Sequence, residues 1–456
     1  MSEAAELRPS YRALFQPERR ALVLGGLGAS FLASLDLLLV VTALPSAARD
    51  LGGIGGYAFA AAAYAVAQVT SQPIGGALSD RAGPWRTLLV GSAIFAVGTA
   101  IGGSASSLTM IAVARLVQGF GGGLLLSVPP VLWTLYIPAR LQPHAFGLNA
   151  AVWGISALIG PPVGALLTGT LGWRFVFWVN VPALVLMLTL GYLGLRGRRP
   201  PDATDTPFAL VGPALLGLAV LALLTRPLLA IPAAIAFAVS EWRTLLPVVP
   251  RTAWGRATCA VALANGFTFL GMEAFLPLDL QSGVGWSVFW ASAPLVTASL
   301  GWTTGSMIAA RLRLSLRTQI GLGSLLVAVG GLTAAVPLGG GLPVALGFTV
   351  AGVGMGLASP ALFVAVLSDE RGAEGRETAA PPVARNVGSS IGIALGGGLL
   401  VRYASSATLR AAEHGVAPLG HLHFAARIAY LVLAAGSLAV LPAIAWLRPV
   451  GPGYSS

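Results

Sequence analysis

Lysine is absent from this chain: all 27 basic residues are arginine. A phosphate-cradling loop of the type G-x-x-x-x-G-K-[ST] is therefore excluded, because its lysine cannot be supplied. Any uphill movement of a solute is expected to draw on an ion gradient instead. Cysteine is nearly absent too, and Cys259 alone leaves no internal disulfide. With four histidines and one cysteine, no nucleophile with a nearby base falls within the apolar stretches, and no enzyme, cofactor or metal centre is expected. Charge itself is scarce. Only 9% of the 456 residues are charged, against 56% hydrophobic, far more apolar than an average soluble domain. These proportions indicate a polytopic membrane protein. The excess of 27 basic over 16 acidic residues gathers between the apolar runs, which indicates orientation across a bilayer and no nucleic-acid partner. Glu3, Glu6 and Glu18 early in the chain, with no small-residue cleavage site soon after, predict that the first apolar run is retained as a span.

A helical span needs about 20 apolar residues. Runs of that kind occupy 21–46, 54–78, 87–104, 108–135, 146–171 and 175–195; a polar linker follows, then two runs at 208–225 and 227–240, then six at 257–280, 287–310, 316–337, 342–367, 381–403 and 424–447. Fourteen spans with both termini cytoplasmic would put twenty arginines on the inner side and six on the outer, a bias of the positive-inside kind. Twelve spans would give the same orientation, but leaving the apolar run 208–225 in water is hard to justify. Six spans on either side of a middle pair match a recurring transporter plan with the site between two halves. The expected division is a cytoplasmic tail (1–20), a six-helix bundle (21–195), a linker with two helices (196–256), a second six-helix bundle (257–447) and a cytoplasmic tail (448–456).

Two carboxylates, Asp36 and Glu273, break the apolar stretches. An ionisable group at membrane depth costs roughly 2.5–3.5 kcal/mol on insertion scales and marks a functional site by default. Asp279 lies at the end of a stretch and is set aside. Asp36 comes late in a span entered from inside and Arg115 early in one entered from outside, so both fall in the outer half. Glu273 has no basic residue near it in sequence and lies about as deep as Asp36, which makes it the better proton carrier.

The connection after the second span reads Gly76-Ala-Leu-Ser-Asp80-Arg81-Ala-Gly83-Pro84-Trp85-Arg86. The fourth span carries Arg115-Leu-Val-Gln118-Gly119, and the fifth carries Gly160-Pro161-Pro162-Val163-Gly164. Trp173-Arg174 and Asn180-Val-Pro182 follow, Leu35-Asp36 and Ala43-Leu44-Pro45 stand in the first span, and Phe275-Leu-Pro277 with Gln281 and Arg385-Asn-Val-Gly388 come later. In that order and spacing they resemble the major facilitator superfamily, and within it the drug:proton antiporter branch with fourteen spans. Two departures stand out: Pro84-Trp85 replaces the basic pair usual after Gly83, and Ser156 stands where a glycine is common.

The resemblance implies an all-α membrane protein, two six-helix bundles of the major facilitator type with two extra helices between them. It implies a gate on the cytoplasmic side built from Gly76, Asp80, Arg81, Gly83 and Arg86, and an antiporter motif at Gly160, Pro161 and Gly164. In that fold the first and fourth spans are close, so Arg115 pairs with Asp36, and Asp36, Glu273 and Arg115 form the proton-coupling set. The expected activity is proton-coupled export of hydrophobic or amphipathic small molecules by a monomer in lipid of the cell membrane, with translocation of a lipid or lipid precursor as the alternative. Trp153, Trp290 and Trp302 are candidates for the substrate cavity. His421 and His423, near His414, are assigned to a solvated outer loop, since no cysteine and few acids accompany them. Glycine strings such as Gly352-Val-Gly354-Met-Gly356 are assigned to helix packing, because no strand precedes them.

Overall fold

A computed structural model describes residues 11–52, 57–196, 198, 253–311, 314–337, 340–369, 380–403 and 420–444. In hydrocarbon every backbone amide and carbonyl must find its partner within its own segment, and the helix is the form that achieves this without closing a barrel. The apolar runs obey that rule. Among the described residues there are twelve long helices and no strand: α1 (Pro17–Asp50), α2 (Tyr57–Ala82), α3 (Pro84–Gly103), α4 (Leu108–Tyr136), α5 (Gln142–Thr170), α6 (Asn180–Leu195), α7 (Ala253–Leu278), α8 (Val288–Arg311), α9 (Leu316–Ala335), α10 (Leu342–Asp369), α11 (Ala380–Tyr403) and α12 (Gly420–Ala439). The middle pair expected at 208–225 and 227–240 lies outside the described residues.

The two sets of six repeat one another. In the first set α4 packs on α2 and α3, and α1 packs on α5 and α6; in the second, α10 packs on α8 and α9, and α7 packs on α11 and α12. The sets meet through α5 against α8 and α2 against α11, which is the same pairing read from either half. Nine described helices are long and apolar enough to cross a membrane on composition alone. The three that fall short, α2, α8 and α11, all belong to this meeting surface, where serines, threonines and glycines replace the lipid-facing leucines of other helices.

Small residues set the helix spacing, as packing in lipid requires. A Cβ at Gly352 or Gly356 would run into the backbone carbonyls of Ala298 or Trp302 on α8, while one at Gly354 would meet the Gly323 carbonyl on α9. The alternating string therefore wedges α10 between two neighbours, which accounts for its spacing.

The apolar core joins the halves at one end only. One cluster runs from Leu39–Ala48 of α1 and the start of α2 to Phe269–Leu278 of α7, the start of α8 and the start of α12. At the other end, where α1 begins, two separate clusters form, one around Leu22, Trp133 and Met187 and one around Trp254, Ile320 and Leu362. Polar contacts follow the same division. Tyr57 donates to the Ala274 carbonyl at 2.8 Å, Gln281 to the Thr42 carbonyl at 3.2 Å, and Arg49 to Gln281 Oε1 at 3.3 Å and Ser282 Oγ at 3.4 Å. All four lie at the end distal to the start of α1. The halves are thus sealed distally and separate at the terminal end.

Three local features depart from expectation. α2 continues to Ala82, so Asp80 and Arg81 are helical and the connection shrinks to Gly83, whose φ of 85° excludes other residues without strain. Pro84, which replaces a basic residue of the resembled motif, then occupies the first turn of α3, where a fixed φ and a missing amide cost nothing. α12 begins at Gly420, four residues before the expected run, so His421 and His423 stand in the first turn of a helix and not in a loop; His421 is exposed and His423 half-buried.

Candidate functional site

Asp36 is fully buried and surrounded by donors. Arg115 Nη1 reaches Asp36 Oδ2 at 2.6 Å, Asn180 Nδ2 donates to Oδ1 at 2.6 Å, and Gln118 Nε2 donates to Oδ1 at 3.3 Å. Arg115, itself only 2% exposed, lies with its guanidinium carbon 4.0 Å from the centre of the Tyr64 ring, and Gln118 also donates to Thr99 at 3.1 Å. The group ties α1, α2, α3, α4 and α6 together. A buried carboxylate is tolerated when a cation and hydrogen bonds compensate it, and here all of them converge within the first half. The expected Asp36–Arg115 pair is present. Gln118 and Asn180 were visible only as members of motifs; their convergence on Asp36 requires the folded chain. Arg115 and Gln118 are three residues apart, the spacing that puts two side chains on one helical face.

α5 closes over this site by close approach. A Cβ on Gly160 would come within 2.9 Å of Leu38 Cβ, and one on Gly164 within 3.0 Å of the Leu39 carbonyl. Pro161 sits between them inside the helix, where it removes an amide from the ladder. Ser156, on the same helix, accepts from Ser34 Oγ at 2.7 Å, so the serine in the place of a glycine adds a hydrogen bond between α1 and α5.

Glu273 has a different environment. It is half-buried on α7 between the buried Met272 and Ala274, beside the seam where Tyr57 of α2 reaches across. No hydrogen bond or ion pair reaches its carboxylate among the described residues. Asp36 and Glu273 therefore sit in matching helices of the two repeats, one neutralised by partners and the other without any.

The tryptophans divide. Trp302 packs edge-on against Phe269 at 5.5 Å, Phe269 stacks on Phe348 at 4.7 Å, and the Arg385 guanidinium lies 5.9 Å from the Trp302 ring. Trp153 is half-buried next to Gly154, which faces Thr303 of α8, so Trp153 and Trp302 flank the same seam. Trp290 does not join them: it is 64% exposed and edge-on to Phe289. Twelve residues of helix separate it from Trp302, roughly 120° of rotation at 3.6 residues per turn.

Of the gate residues, Asp80 is half-buried with no hydrogen bond or ion pair among the described residues, Arg81 and Arg86 are exposed, and Gly76 faces open space. They stand at the end where the halves are apart.

A group sequence reasoning passed over lies at the distal end. α7 ends in a π-helical turn, Asp279–Gly283, whose first residue, Asp279, is fully buried on the helix face that also carries the buried Met272, seven residues earlier. His423 Nδ1 lies 2.7 Å from Asp279 Oδ1, and Tyr430 donates to Oδ2 at 3.2 Å. The acid and the histidine were both readable in the sequence; the packing of α12 on the end of α7 that brings them together was not.

Comparison with known proteins follows this geometry. The model of the family described as the Major Facilitator Superfamily matches residues 26–392. Multidrug transporter protein MdtP of Bacillus subtilis is 26% identical over 410 residues, covering 84% of this chain and 76% of the relative. Multidrug efflux pump SdrM of Staphylococcus aureus is 26% identical over 290 residues, covering 60% and 65%. Among solved structures, an auto-inhibited POT family peptide transporter superposes with a TM-score of 0.69 at 13% identity over 96% of this chain and 100% of its own. A D-xylose-proton symporter does so with a TM-score of 0.66 at 15% identity over 95% and 99%.

Proposed function

The chain belongs to the major facilitator superfamily and is a multi-pass membrane transporter, not an enzyme; from that premise we propose that it exports hydrophobic or amphipathic small molecules in exchange for protons, with Glu273 as the proton carrier. The observation that carries this reading is the contrast between the two intramembrane acids. Asp36 is compensated by Arg115, Asn180 and Gln118, so adding a proton to it would break a satisfied buried network. Glu273 has no partner to lose among the described residues and stands beside the contact between halves, where a change in its charge bears on how the halves meet. The multidrug activities named for MdtP and SdrM support the substrate class.

With the termini in the cytoplasm, as the arginine distribution favours, the separated end faces inward and the sealed end outward. The bundles 21–195 and 257–447 then rock about the α5–α8 and α2–α11 contacts. Asp80, without a partner among the described residues, fits a gate that is open here and closes in the opposite state. A proton moving inward through 100 mV supplies about 2.3 kcal/mol, which corresponds to roughly 50-fold accumulation for one proton per cycle.

The test is Glu273→Gln in reconstituted vesicles with a panel of amphipathic compounds. Proton-driven efflux is expected to vanish while binding or substrate counterflow continues. Normal pH-driven efflux from the variant would remove Glu273 from the mechanism.

A further inference from the structure

Glu273 leaves a second buried acid unused. Asp279 is fully buried at the distal end of α7, and His423 beside it is 13% exposed, so the histidine is the side of the pair that reaches toward the distal surface. We infer that Asp279 and His423 form a second proton-binding site, which fills as the distal gate closes. The inference rests on the reading of this chain as an alternating-access transporter, but not on Glu273.

The geometry couples the pair to the gate through one short element. On the face of the π turn toward α12, Asp279 meets His423 and Tyr430. Two and three residues on, Gln281 and Ser282 engage the Thr42 carbonyl and Arg49 of α1 in the other half. Gly283 closes the turn, and a Cβ there would come within 2.7 Å of Asp279 Oδ1 and 3.1 Å of the His423 amide. The carboxylate that meets the histidine and the side chains that seal the halves thus stand on one turn of five residues.

Charge arithmetic sets the occupancy. The pair with one proton, shared along the 2.7 Å contact, is neutral overall; with none it is a buried anion, and with two a buried cation. Burial favours the neutral form. On α12 the next cation is Arg427, one turn on, whose Nε donates to the Ala335 carbonyl at the end of α9. Tyr430 donates to the acid, Tyr57 of α2 is committed to the Ala274 carbonyl, and Arg49 of α1 to the seam. α8 brings no charge near, since its one charged residue, Arg311, is at the far end. When the gate opens, water reaches Asp279 and the two groups separate, so burial no longer imposes neutrality on them. The proton captured on closing comes from the distal medium and returns to it on opening. Acid on that side therefore favours the sealed state.

The test uses full-length protein in vesicles with Cys259→Ala and a reporter, Ala47→Cys, whose native side chain is buried in the distal seam. Labelling by an impermeant maleimide from the distal side reads the open fraction. Between pH 8 and pH 6 the rate, corrected for reagent reactivity, is expected to fall about fivefold, equivalent to a shift of about 1 kcal/mol. Asp279→Asn, which needs no proton to be buried neutral and keeps the Tyr430 contact, should be labelled slowly at both pH values. His423→Gln, which leaves the carboxylate to take the proton by itself, should need a more acidic medium for the same protection. Glu273→Gln is expected to change the labelling rate at both pH values by a similar factor and to leave the fall between pH 8 and pH 6 in place. A wild-type pH profile in both Asp279→Asn and His423→Gln would overturn the site. Loss of the response in Glu273→Gln would transfer it to that residue. Labelling that never varies in any protein would remove alternating access itself, and the site with it.

Discussion

Asp36 shows what a buried network costs to break. Removing the carboxylate with Asp36→Ala leaves Arg115 buried at 2% exposure without its counter-charge, a loss of about 3–5 kcal/mol. A marked drop in the thermal unfolding midpoint in detergent is expected. The double variant Asp36→Leu/Arg115→Met removes both charges together, and should recover much of that stability while transport stays lost. A double variant as unstable as the single one would show that the pair is not the unit. The sequence disclosed this pair because acids are so rare in the spans that Asp36 and Arg115 had few alternatives. It did not disclose Asn180 as the donor at 2.6 Å, because an asparagine between two helical segments reads as ordinary capping or packing until the chain is folded. Asp279 was missed for a related reason: an acid at the end of an apolar stretch reads as one that reaches water, and only the folded chain shows α12 covering it.

At the scale of elements, small residues carry the design. α5 lies on α1 at the distance Gly160 and Gly164 allow, so the glycine–proline stretch of α5 and the Asp36 network are built on the same helix, α1. Gly164→Leu must either move the Leu39 backbone or push α5 away, and overpacking of this sort typically costs about 1–3 kcal/mol. Efflux is expected to fall severely while the protein still inserts and can be purified. A variant with normal efflux and unchanged stability would show that the contact opens without cost. Gly83 tests the short joint between α2 and α3 in the same way. Its backbone region is nearly exclusive to glycine, so Gly83→Ala should destabilise by about 1–3 kcal/mol, read as a shortened half-life on heating in detergent. Helix number and order in the described parts were legible because hydrophobic runs announce spans. Their ends were less so: Ala82 and Gly420 extend past the apolar runs, since a helix that packs against protein does not need every residue to be apolar.

For the whole molecule, the asymmetry between its two ends is a statement about populations. Four polar contacts and a continuous apolar core join the halves distally, and separate cores face each other at the terminal end. Weakening one end should move the equilibrium toward the other state without altering either bundle. Arg49→Ala removes the contacts to Gln281 and Ser282, and Tyr57→Phe removes the hydroxyl that reaches Ala274. Loss of one such group, at about 1–2 kcal/mol, changes a two-state ratio by roughly 5–30-fold. Asp80→Asn should act in the opposite sense, because Asp80 has no partner among the described residues in this state and a gate contact would form in the other. Spin labels across the distal mouth in reconstituted protein can read both effects as distance distributions. The expected result is a larger fraction of long distal distances in Arg49→Ala and Tyr57→Phe, and a smaller one in Asp80→Asn. Equal distributions in all three variants would mean that these contacts do not hold the balance between the states.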